Sequence, residues 1–111
     1  VVDSSISLDI EELVDKHAPP EKILFLCVIL QALLDATKPS TGIEPEEEKI
    51  ARQSAKAWFF ASIGVTAEDF IAVCDMADVD YIQMRSFAYK VLRSKEVEYT
   101  RRRINAVLSF K

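Results

Sequence analysis

Glycine occurs twice and proline four times in 111 residues, too few for the turn-dense pattern of a sandwich or barrel. No segment shows sustained strand alternation flanked by hairpin turns, which excludes a hairpin-built sheet. Only two cysteines are present, Cys27 and Cys74, with no Cys or His at ligand spacing; both read as reduced thiols packed in apolar helix faces. The single histidine, His17, sits at a predicted helix end beside Pro19, and the sequence contains no Gly-rich phosphate loop, HExxH or CxxC. These absences argue against catalysis, a bound metal, a cofactor or a small-molecule substrate. The longest apolar run, Ile23–Leu34, is broken only by Gln31 and spans 12 residues. About 20 are needed to cross a bilayer, so the run reads as a core helix rather than a membrane span. The opening Val-Val-Asp-Ser-Ser has no basic region ahead of an apolar stretch, so a cytoplasmic location is expected.

What is abundant is helix-forming residues in apolar periodicity, and half of the chain is hydrophobic, enough for one core. The prediction is one compact all-α domain over residues 1–111, built from five or six helices, with residues 1–7 disordered. Leu8, Ile10, Leu13 and Val14 give a short amphipathic helix over Leu8–His17. Pro19 and Pro20 end it and open the next helix, which runs to about Thr37 and, being apolar all round, is expected at the centre of the fold. Residues 38–45, with two prolines and Gly42, form a loop between the N-terminal helices and the rest. A helix then starts at the acidic run Glu46, Glu47 and Glu48, with Glu48 and Arg52 spaced to pair across one turn. Thr66, followed by Asp69 in the position of a capping box, is expected to cap the next helix, over Ala67–Ala77. A further helix extends from about Asp80 to Ser94, a break follows at Lys95 and Glu96, and Val97, Ile104, Val107 and Leu108 define the last helix.

Net charge is −4, but its distribution is uneven. From Arg85 onward the basic residues are Arg85, Lys90, Arg93, Lys95, Arg101, Arg102, Arg103 and Lys111, against only Glu96 and Glu98. This C-terminal quarter is the candidate for contact with phosphate. Trp58, Phe59 and Phe60 are consecutive and span about 200° on a helix, so they cannot all face one core. Trp58 and Phe60 are therefore candidate anchors for a partner or a dimer seam.

The segment FIAVCDMADVDYIQMRSFAYKVL, Phe70–Leu92, resembles the helix-turn-helix of sigma-factor region 4 and related regulators. In that resemblance Cys74 is the small residue that admits the second helix, Ala77 and Val79 flank the turn, and Met84 and Phe87 anchor the second helix. Arg85-Ser86 falls where the family often carries Arg-Ser, whereas Asp78 stands where glycine normally makes the turn. The resemblance implies DNA binding and draws the contacts from Tyr81, Gln83, Arg85, Ser86, Tyr89, Lys90 and Arg93, with Arg101, Arg102 and Arg103 adding phosphate contacts. More loosely, ARQSAKAWFF followed by FIAVCDMADVDYIQMR resembles small uncharacterised proteins of tailed phages and prophages. Together these imply a small phage-type regulator of transcription whose partner is duplex DNA or RNA polymerase. The alternative is a non-catalytic protein-interaction adaptor, including a homodimer, in which the helix pair is scaffold only.

Overall fold

A computed structural model describes residues 18–40 and 42–109. The disordered tail expected over residues 1–7, the helix expected over Leu8–His17, and Lys111 lie outside the described residues. Five α-helices make up the described chain: α1 Pro20–Thr37, α2 Glu46–Phe60, α3 Val65–Met76, α4 Tyr81–Arg93 and α5 Val97–Leu108. The fold is all-α.

Helix α1 touches each of the other four, because its inner face carries Leu26, Ile29, Leu30, Leu33 and Leu34. These side chains pack in one cluster with Ala55 and Phe59 of α2, Phe70 and Cys74 of α3, Met84, Phe87, Ala88 and Val91 of α4, and Ile104 of α5. The described residues do not cover the apolar run of α1 on every side, whereas the sequence expectation has the other helices surround it. Leu24 is 62% exposed and Val28 44%, and with Gln31 they lie along an outer stripe. Among the described residues, the inner face, centred near Leu33, accommodates the four partner helices and the opposite face is exposed.

The α1–α2 loop is tied down by ion pairs. Lys38 reaches Glu48 at 2.7 Å, and Arg52 makes a two-pronged pair with Glu44. The Glu48–Arg52 pair expected from helical spacing therefore does not form. Arg52 is drawn to the better-enclosed Glu44, whose carboxyl is held below its ordinary range chiefly by that hydrogen bond.

Two helix starts illustrate local competition. Helix α3 begins at Val65 after Gly64, which adopts φ +91°, and Thr66 lies inside the helix rather than capping it. Asp69, which would have completed the box, accepts instead from the Trp58 indole N–H at 2.7 Å. Helix α4 starts as the sequence predicts, with the Asp80 carboxylate accepting from the Ile82 amide at 2.8 Å. Between the two helices Asp78 takes the left-handed conformation, φ 60°. The break after Arg93 also falls in the expected place: Ser94 ends α4, its hydroxyl accepts from the Glu96 amide, and α5 starts at Val97.

Candidate interaction surface on the fourth helix

Helix α4 turns Met84, Phe87, Ala88 and Val91 into the core. At 100° per residue the opposite face is the stripe Ile82, Ser86, Tyr89 and Arg93, spaced by four, three and four residues. Ile82 is 62% exposed and Tyr89 52%, while Ser86 and Arg93 are exposed between and beyond them. The Arg93 guanidinium donates to the Tyr89 hydroxyl at 2.7 Å and lies 5.3 Å from its ring centre. Phe60, at the end of α2, packs edge-on against Tyr89 with ring centres 6.4 Å apart, which extends the stripe toward α2. Gln83, exposed, and Lys90, half-exposed, flank it on one side.

On the other side Arg85 and Tyr81 turn inward. Arg85 donates through Nε to the Phe59 carbonyl at 2.7 Å and through Nη2 to the Ala61 carbonyl at 3.1 Å. Its guanidinium lies 5.3 Å from the centre of the Phe70 ring and 5.7 Å from that of Tyr81. Helix α2 has no basic residue in its last turn, and its final carbonyls form the negative end of its dipole. Arg85 supplies that missing cation from another helix. Sequence reasoning placed Arg85 among the outward-facing DNA contacts; two of its five guanidinium N–H groups are engaged instead at the end of α2, beside the rings of Phe70 and Tyr81.

Arg101 repeats the device at α1, which also lacks a basic residue in its last turn. Its Nη1 donates to the Leu34 carbonyl at 2.5 Å and to the Thr37 hydroxyl at 2.8 Å, and that hydroxyl donates in turn to the Leu33 carbonyl. The Arg101-Arg102-Arg103 run is therefore split three ways. Arg101 holds α1, Arg102 is exposed, and Arg103 folds back on Tyr99, donating to its hydroxyl at 2.9 Å. Consecutive helical residues point 100° apart, so the run does not present one cationic surface.

The aromatic segment divides as its geometry requires. Phe59 is fully buried, and Trp58 and Phe60 are half-buried on either side of it. Trp58 packs edge-on to Phe70 at 4.9 Å and to Phe59 at 5.3 Å. It is part of the wall beneath Arg85, so of the two expected anchors only Phe60 adjoins the exposed stripe.

The sequence reading missed Ile82 as a surface residue and missed the inward role of both arginines. The first was signalled in the sequence, since placing Met84, Phe87 and Val91 inside leaves Ile82 opposite them. The second was not: α1, α2, α3 and α5 all end without a basic residue in the last turn, so that feature alone does not pick out the two ends the arginines reach.

Among the described residues no group of three or more His, Cys, Asp or Glu side chains could hold a metal ion, and no single helix is long and apolar enough to cross a membrane. Cys74 is fully buried, and burial pushes its thiol up to about 12, with Arg85 opposing the shift. Comparison with protein-family models, with curated proteins and with solved structures finds no match to this chain.

Proposed function

We propose that this is a non-catalytic protein-interaction domain whose docking surface is the outer stripe of α4, Ile82, Ser86, Tyr89 and Arg93, bordered by Phe60. The observation that carries this reading is the composition of that stripe. An aliphatic and an aromatic side chain, each more than half exposed, occupy the outward centre of the helix, with a cation folded onto the aromatic ring. Tyrosine beside arginine around an apolar centre is the composition of residues that dominate protein–protein binding. Such side chains stand ready to be desolvated by another apolar surface.

The helix-turn-helix reading is the second one, and the left-handed Asp78 between α3 and α4 supports it, together with the buried Met84 and Phe87. Charge weighs against it. Asp78 and Asp80 stand just before the second helix, at the end that would approach phosphates, and Arg85 and Arg101 each donate hydrogen bonds within the fold.

The two readings separate in one experiment. Helical peptides selected from a random display library against the folded protein should bind wild type and lose binding to the Ile82→Glu, Tyr89→Glu double variant, with unchanged circular dichroism. Retained binding by every selected peptide overturns the docking surface. Salt-dependent duplex binding that is lost on substituting Gln83 and Lys90 would establish the DNA reading instead.

A further inference from the structure

We infer that the occupant of the α4 stripe is a second copy of this chain, packed antiparallel through α4 about a two-fold axis that passes beside Ser86, midway along the helix between residues 85 and 86; this rests on the docking surface proposed above. The stripe is self-complementary in both polarity and charge. Its apolar members, Ile82 and Tyr89, lie on either side of Ser86, and the small Ser86 side chain leaves room for close approach at the axis. In an antiparallel pairing centred there, Ile82 meets Tyr89 of the second copy, and the reverse contact forms by symmetry.

Charge gives the same register. The N-terminal end of α4 is acidic, with exposed Asp78 and Asp80, and its C-terminal end is basic, with Lys90, Arg93 and Lys95 ahead of Glu96. The antiparallel arrangement sets each acidic end against a basic one, and the register that pairs Ile82 with Tyr89 also brings Arg93 to Asp78. The Asp78 carboxylate is 75% exposed despite its 3.1 Å contact with Lys22, so it can accept a second cation. A parallel pairing would oppose like charges at both ends. A single pair of 13-residue helices covers less than the roughly 800 Å² per copy of a standard stable interface, so the dimer forms reversibly and depends on concentration.

The axis position gives a sharp test. Helices packed at about 8–10 Å with Cα atoms about 2.3 Å from each axis, and the two Ser86 residues offset by about 1.5 Å along the helix, bring their Cα atoms to about 4–6 Å, overlapping the disulfide range of about 4.4–6.8 Å. In a Cys27→Ser background, Ser86→Cys should form an intermolecular disulfide on mild oxidation far more readily than Lys56→Cys, placed on the exposed face of α2. Sedimentation over a concentration series should show a monomer–dimer equilibrium, weakened about tenfold or more by Ile82→Glu and by Arg93→Glu. A chain that is monomeric throughout, with Ser86→Cys no more reactive than Lys56→Cys, overturns the second copy while leaving peptide docking on α4 to stand on its own measurement. A dimer indifferent to Ile82→Glu, with no preference for Ser86→Cys, overturns the proposed pairing and places the seam on another face.

Discussion

Replacing Arg85 with alanine separates a structural arginine from a recognition arginine. In the fold its side chain makes two charge-assisted hydrogen bonds, to the Phe59 and Ala61 carbonyls, and lies over Phe70 and Tyr81. A hydrogen bond to a charged group contributes about 1.5–3 kcal/mol, and a cation over an aromatic face about 0.5–1 kcal/mol. The α2 end is only partly enclosed, so water recovers part of this when the side chain is removed. Arg85→Ala is therefore expected to cost about 2–4 kcal/mol, and Arg85→Lys, which keeps one donor point but loses the fork, about 1–2 kcal/mol. Urea unfolding followed by the fluorescence of Trp58, which packs on Phe70 beside this contact, measures both. An arginine waiting to read bases would be an ordinary surface side chain, worth within about 0.5 kcal/mol of nothing to stability. A loss of that size for Arg85→Ala would refute the assignment.

The basic run should divide in the same way: Arg101→Ala is expected to cost about 1–3 kcal/mol, because it strips the α1 terminus of its cation, and Arg102→Ala less than about 0.5 kcal/mol, both read from urea midpoints. Asp78→Val should lose about 1–2 kcal/mol in the same assay, since a β-branched side chain is strained at φ 60°. Cys74 makes stability fall at alkaline pH: its thiol titrates near 12 in the fold and near its ordinary value of 9 in the unfolded chain, so its contribution is full below about 9 and is lost as pH rises toward 12. Urea midpoints at pH ~8 and ~11 should therefore fall less steeply for Cys74→Ala than for wild type.

The helices were legible because their signals are local. Pro19 and Pro20, the Glu46–Glu48 run, Asp80 and the loss of phase at Lys95 each act within a turn or two of a boundary, and α2, α4 and α5 begin close to where those residues place them. Thr66 failed for a tertiary reason, since Asp69 finds the Trp58 indole, a partner 11 residues away in sequence. Glu48 failed likewise, Arg52 being taken by Glu44 from the loop. The candidate site was harder to read. A basic count along the sequence does not distinguish an arginine pointing out from one reaching 26 residues back to Phe59, or 67 residues back to Leu34. That requires knowing which helix ends lie beside it, and only the packing of α4 and α5 against α2 and α1 supplies them.

The most direct test of the α4 surface as a protein-docking face is an amide and arginine-side-chain NMR titration of labelled protein with random duplex DNA at low salt, where counterion release most favours binding. The Arg85 and Arg101 side-chain N–H resonances are expected to stay in place, and Gln83, Ser86 and Lys90 to show no saturable shift. Saturable shifts along Gln83, Ser86 and Lys90, with Arg85 released from the end of α2, would contradict this and put α4 in the groove of a duplex.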